Sequence, residues 1–142
     1  MMELLLVLIL TAVVTGLSLG RITSFLAHER VAKASVGLAT DIQAGFAIPG
    51  RIRRPVRIRV DTSAMQLLIT DRAQTTTYRK TVFGSRYNLR SSNVSFYPPP
   101  GSTFEIYPNG FANDSLVITL SNGGYTRSIK ATKTGMVQVR PQ

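Results

Sequence analysis

The sequence predicts an α+β protein: a long N-terminal helix, apolar at first and amphipathic after, packed on a C-terminal antiparallel β domain. Three observations carry this. Residues 4–20 hold no charge and are mostly Leu, Val or Ile. Residues 21–48 repeat apolar positions three or four apart, the period of a helix with one face to bury. From Pro55 the period changes to alternation, punctuated by Gly, Pro and Asn.

Size and charge bound the problem. A chain of 142 residues accommodates one domain and one further element. There is no cysteine, which removes disulfides, thiol catalysis and thiolate metal sites. The net charge of +10 falls entirely after residue 50, because Arg21, Arg30 and Lys33 balance Glu3, Glu29 and Asp41. A positive surface of that kind suits nucleic acid, acidic lipid headgroups or an acidic protein.

The first element is the segment 1–20, MMELLLVLILTAVVTGLSLG. As a helix, its uncharged run rises roughly 25 Å, a little short of a hydrocarbon layer of roughly 30 Å. Leu4, Leu5, Leu6, Val7, Leu8, Ile9 and Leu10 are its strongest membrane-anchor candidates. A cleavable signal peptide fits less well, since no basic residue precedes the apolar run and that run is long. Glu3 sets the segment apart from a plain anchor. A carboxylate deep in a bilayer costs about 2.5–3.5 kcal/mol, so such acids are functional suspects, although a position at the interface would also accommodate it.

The second element, 21–48, is an amphipathic helix. Ile22, Phe25, Leu26, Ala32, Val36, Ala39, Ile42 and Phe46 form the expected stripe, with Arg30, Lys33 and Asp41 largely off it. Pro49-Gly50 is the expected stop. Continuous from the start, the helix would be roughly 70 Å long.

The third element, 51–142, reads as strands and turns. VRIRV places Val56, Ile58 and Val60 on one face and Arg57 and Arg59 on the other. Further strands are expected at 65–70, 77–83, 93–97, 102–107, 115–120, 124–131 and 136–140. Turns are expected at Pro98-Pro99-Pro100-Gly101, Asn109-Gly110, Asn122-Gly123-Gly124 and Thr134-Gly135. Asn122-Gly123 between two alternating runs is a hairpin signal.

Few residues suggest chemistry. Arg51, Arg53, Arg54, Arg57 and Arg59 crowd one short stretch. Such a cluster either guards a strand face against wrong pairing or forms a track for phosphate oxygens. His28 has no Cys or acidic cluster beside it and reads as a polar helix residue. No nucleophile–base pair, phosphate loop or metal-ligand spacing is present, so neither enzyme, cofactor nor metal is expected.

Two segments carry a family resemblance. Met-Met-Glu-Leu-Leu-Leu-Val-Leu-Ile-Leu resembles the mature start of type IV pilins and type II secretion pseudopilins, in which Glu is the fifth residue. That resemblance implies two mature residues and a short basic leader upstream, removed by a prepilin peptidase. It also implies that Glu3 meets the N-terminal amine of a neighbouring subunit and sets axial register. Residues 102–139 resemble the end of the GspH/FimT family: Tyr107-Pro108-Asn109-Gly110-Phe111-Ala112 forms the aromatic-Pro-x-Gly turn, and Ser128–Thr132 with Gly135 the closing strands. The stretch 71–93 matches little.

The resemblance implies a pilin-like fold and a minor pseudopilin of a type II secretion pseudopilus. It would be anchored by one pass in the bacterial inner membrane with its β domain in the periplasm, among other pseudopilins or pilins. The alternative is a FimT-like minor pilin that binds DNA through its basic surface. FimT-type members carry Gly-Arg-x-Arg near the C-terminus. Here that place reads Gly135-Met136-Val137-Gln138, while Gly50-Arg51-Ile52-Arg53 stands at the end of the helix.

Overall fold

The computed structural model describes residues 2–90, 93–99 and 103–141 and, within the first helix, all side chains except those at 2, 5 and 17–21. Helix α1 spans Met2–Ile52 without a break, followed by β1 (Val56–Asp61), β2 (Gln66–Asp71), β3 (Thr77–Val82), a one-turn helix α2 (Gly84–Tyr87), β4 (Val94–Tyr97), β5 (Phe104–Ile106), β6 (Leu116–Asn122), β7 (Tyr125–Ala131) and β8 (Val137–Pro141). Pro100, Gly101 and Ser102, expected in a turn and at a strand start, lie outside the described residues.

The strands form two four-stranded antiparallel sheets, ordered β3-β2-β1-β5 and β4-β6-β7-β8. The second half of α1 lies over β6, β7 and β8 and also touches β1 and β5, so one helix closes both sheets. Val31, Leu38 and Ile42 from α1 are fully buried with Val56, Leu67, Ile69, Ile106, Ile118, Leu120 and Ile129. This is the expected α+β architecture, with alternation on β1 placing Val56 and Ile58 inside.

Two features of α1 differ from the sequence reading. First, Pro49-Gly50 does not end it. Pro49 lies inside the helix, and the chain turns only after Ile52, where Arg53 takes a left-handed φ of 53°. Proline costs a helix one hydrogen bond and a ring clash. Pro49 is buried, and that burial favours keeping the last turn in place. Arg53 then acts as a left-handed cap, and Pro55 prevents continuation.

Second, the buried stripe is rotated from the expected one. Ala39 and Ile42 are buried and Phe46 is half-buried, but Ile22, Phe25, Leu26 and Val36 are exposed. Their places are taken by Ala27, Val31, Ala34, Ser35, Leu38, Asp41 and Gly45. Small residues give a weak periodic signal, yet they let the helix approach the sheets closely. A Cβ on Gly45 would lie 3.1 Å from the Cδ1 atoms of both Ile58 and Ile69.

Hairpin β6–β7 pairs Asn122 with Tyr125 around Gly123 and Gly124, whose φ angles are 56° and 84°. Positive φ at both central residues is what a two-residue I′ turn demands. The turn seats against the start of the packed half of α1, beside Ala27, while the Tyr125 and His28 rings meet at 4.8 Å, tilted by 42°. In the β1–β2 turn the Ala64 N–H, with Gln66 and the Ser63 N–H, holds the Asp61 carboxyl below its ordinary pKa. Helix α2, which the sequence reading lacked, sets the Tyr87 hydroxyl against Gly37 of α1.

The two turn glycines separate backbone strain from packing. An alanine at either position costs about 1–2 kcal/mol from left-handed backbone alone. A Cβ at Gly123 would also lie 2.9 Å from Ala27 Cβ, whereas one at Gly124 meets nothing within 4 Å. Thermal unfolding in detergent should therefore show Gly123→Ala as destabilising by about 1 kcal/mol more than Gly124→Ala. Equal losses would mean that the turn is not seated on the helix.

Candidate assembly surface

In the first half of α1 the residues at 3, 4 and 6–16 are all exposed. Leu4, Leu6, Val7, Leu8, Ile9, Leu10, Val13 and Val14 are each more than half exposed, at 53–67%. The exposed residues run consecutively from Leu6 to Gly16, so the apolar surface wraps the helix. Thr11 and Thr15 return their hydroxyls to the carbonyls of Val7 and Thr11, which satisfies both within the helix. A continuous apolar surface of this kind is unsuited to water and marks a membrane or protein contact. Among the described residues no helix is long and apolar enough to cross a membrane. Of the sequence-derived anchor residues, the Leu5 side chain lies outside the described set.

Glu3 is exposed in the first turn of α1, where its charge suits the positive end of the helix dipole. Toward the domain, the apolar surface continues along one face through Ile22, Phe25, Leu26 and Val36. Helical spacing places these opposite Val31, Leu38 and Ile42. The Glu29–Lys33 pair, at 3.0 Å and one turn apart, lies within this outward face. So the second half of α1 has two faces: one is occupied by its own domain, and the other is open at Ile22, Phe25, Leu26 and Val36.

The arginine run is not one track. Arg51 occupies the last turn of α1, where a cation favours the helix C-terminus, and Arg53 and Arg54 are exposed just beyond it. Arg59 is exposed on β1, with Gln74 at 3.4 Å. Arg57 is spoken for: its Nη2 lies 2.6 Å from Glu105 Oε1, and the two side chains are 18% and 8% exposed. Arg72 approaches the same oxygen at 3.6 Å. Between β1 and the 96–99 segment lies a cleft of about 460 Å³, into which Arg57, Arg59, Phe96, Pro98 and Phe104 all project a surface.

The sequence reading missed two buried acids. Asp41 lies on the packed face of α1, 8% exposed, and bonds Arg79 of edge strand β3 at 2.5 Å. The sequence reading put it off the apolar stripe, and the rotation of the helix carries it inside; its one signal was a carboxylate near the apolar Ala39 and Ile42. Glu105, between the apolar Phe104 and Ile106, gave a similar signal on a three-residue strand. His28 is placed as expected, as a helix residue, against Tyr125.

No family model matches the chain, and comparison with curated proteins returns no match. Solved structures do match in fold. The type IV minor pilin FimU of Pseudomonas aeruginosa aligns with a TM-score of 0.62 at 17% identity, over 82% of this chain and 92% of that one. The minor pseudopilin EpsH from the type 2 secretion system of Vibrio cholerae aligns with a TM-score of 0.54 at 9% identity, over 79% of this chain and 97% of that one. The fold is thus pilin-like: a long N-terminal helix closing a two-sheet antiparallel domain.

The Asp41–Arg79 pair gives an asymmetric expectation. Arg79→Ala leaves a carboxylate almost wholly buried, and urea unfolding should show a loss of about 1–3 kcal/mol. Asp41→Ala frees an arginine that is already 45% exposed and can be re-solvated, so the loss should be smaller. Equal losses would contradict the assignment of the penalty to the acid.

Proposed function

We propose that this chain is a minor subunit of a pilus-like fibre, a GspH-like pseudopilin of a type II secretion machine that assembles through its N-terminal helix. One observation carries the reading: a single helix is divided into a half covered by its own domain and a half left apolar on every described side. The fold shared with a minor pseudopilin and a minor pilin supports it. In this reading the apolar half, including Leu4–Leu10, is solvated first by the inner membrane and then by helices of neighbouring subunits. The domain stands in the periplasm. Glu3 is the assembly residue. In an apolar bundle its carboxylate is tolerated only against a positive group, and a neighbour's N-terminal amine would be such a group. Pairing at one height fixes how far each subunit slides past the next. Processing by a prepilin peptidase and association with other pseudopilins belong to the same reading.

The test separates insertion from assembly. Glu3→Ala should leave the membrane-bound amount of protein unchanged, because removing a charge does not impair insertion. Fibre-incorporated protein, measured by cross-linking to other subunits in sheared fibre fractions, should fall at least about ten-fold, the loss expected when a buried ionic partner is removed. Unchanged incorporation would sink the reading.

A second reading is a minor pilin of a type IV or competence pilus that holds DNA. The higher TM-score against FimU and the exposed Arg51, Arg53, Arg54 and Arg59 favour it. Under this reading, single-stranded DNA binding weakens with salt at a log–log slope of about 0.7 per phosphate contacted. Replacing those four arginines by alanine should reduce that slope, while Arg57→Ala, which breaks the Glu105 pair, should instead lower stability. A salt-independent affinity would exclude this reading.

A further inference from the structure

The domain has two poles along α1. At one, Phe46 and Gly50 meet Gly135 and Pro108. At the other, where the apolar half of α1 enters, the Gly123-Gly124 turn sits on Ala27 and the His28 ring meets that of Tyr125. Between that turn and the chain after α2 is a cavity of about 450 Å³. Arg30 and Arg90 line it, with Asn88, Asn122, Gly123 and Gly124, and no lining residue carries a carboxylate. Two guanidinium groups, amide side chains and uncovered glycine backbone form an anion-recognising set, because a guanidinium presents paired N–H donors that suit phosphate oxygens.

The position of this cavity decides what anion it meets. The apolar surface of α1 does not end at Gly20: Ile22, Phe25 and Leu26 are exposed, and the next residue, Ala27, is buried by the domain. From Leu4 to Leu26 the helix rises about 33 Å, which matches a hydrocarbon layer of roughly 30 Å with a modest tilt. The one formal charge in that stretch is Arg21, and arginine stems near a membrane boundary reach headgroup level. Arg30 stands one helical turn above Leu26, about 6 Å further along the axis, within the headgroup layer. The Arg51–Arg54 cluster lies about 30 Å away at the opposite end, beyond reach of the same surface.

We propose that this membrane-facing pole is a binding site for the headgroups of net-anionic phospholipids, whose phosphate is not neutralised by a cationic group as it is in phosphatidylcholine, with Arg30 and Arg90 as its two charge-bearing contacts. The inference rests on the membrane-anchored reading above and adds a ligand to it. Docking of headgroups at the pole fixes the height of the domain over the bilayer before the subunit leaves it, and the phosphate contacts must break on extraction.

The test uses the full chain in nanodiscs of phosphatidylcholine alone or with phosphatidylglycerol added, read by hydrogen exchange of the 121–125 turn. Exchange there should be several-fold slower with phosphatidylglycerol. The Arg30→Gln/Arg90→Gln double variant should lose that slowing, each arginine being worth about five-fold in affinity for an anionic surface. An Arg51→Gln/Arg54→Gln variant at the far pole should keep it. Equal exchange in the two lipids, or slowing that survives in the double variant, overturns the proposal. So does inorganic phosphate or single-stranded DNA that slows the turn in phosphatidylcholine discs while phosphatidylglycerol does not. Co-elution with the discs tests the underlying reading separately. A chain that does not enter either disc overturns both, whereas one that enters and shows no lipid dependence overturns only the phosphate site.

Discussion

The seam between the second half of α1 and the two sheets is the constraint on which the rest of the structure depends. Neither sheet encloses a core by itself. Each has four strands with one face to cover, and the same helix covers both. Close approach is what makes this possible. Ala27, Ala34, Ser35 and Gly45 keep the packed face of α1 thin, while Val31, Leu38 and Ile42 fill the space between Ile58, Ile69, Ile118 and Ile129. Interiors packed this tightly tolerate little added volume. The helix is therefore held firmly in rotation, and that decides which of its residues face outward. Ile22, Phe25, Leu26 and Val36 are exposed because of how the other side is packed, not because they are the less apolar residues.

Two buried acids secure this arrangement at its margins. Asp41 ties α1 to Arg79 on β3, the outer strand of the first sheet, which has few core contacts of its own. Glu105 ties the short β5 to Arg57 on β1 and draws in Arg72. Burying a charge without a partner is costly, so each acid strongly favours the one register that supplies its arginine. These pairs also divide the positive charge of the molecule. Arg57 and Arg79 serve structure, whereas Arg30, Arg51, Arg53, Arg54, Arg59 and Arg90 point to solvent. A net charge of +10 therefore says less about ligand binding than the placement of these few exposed guanidinium groups.

Much of the architecture was legible in the sequence because it rests on period. Alternation in VRIRV and LVITL, and a glycine turn between β6 and β7, determine strand faces and a hairpin by local geometry. The rotation of α1 was not legible. Its outward face carries the larger apolar side chains and so dominates any periodicity argument, while the packed face is built partly from Ala, Ser and Gly. The end of the helix was hidden for a related reason: a local rule about Pro49 was outweighed by its burial in the fold, which no local pattern reveals. Candidate site residues fared according to what their role needs. The Leu4–Leu10 run stands out as unsuited to water and Glu3 as a charge at the head of that apolar run, both of which sequence alone reveals. Arg57 and Arg59 look equivalent two residues apart, and only the position of Glu105 across the strand distinguishes them.

A helix fixed in rotation by one domain also gives the molecule a defined polarity. Its axis is shared by the apolar half and the packed half, so a shift or turn of the first is transmitted to the second without a joint in between. The outward face runs across that boundary, from the apolar half past Leu26 to Val36, with the Glu29–Lys33 pair inside it. A neighbour lying along this face would meet hydrocarbon-like surface first and a charged pair higher up. A mismatch in height would then leave Glu29 or Lys33 against apolar side chains, at the cost of desolvating a charge. In the proposed assembly, register would then be read at two levels along one helix: at Glu3, at the head of the apolar half, and at Glu29–Lys33, beside the domain. Two such marks about 40 Å apart would constrain tilt as well as height in that assembly, because a helix pair crossing at the wrong angle could satisfy one of them but not both.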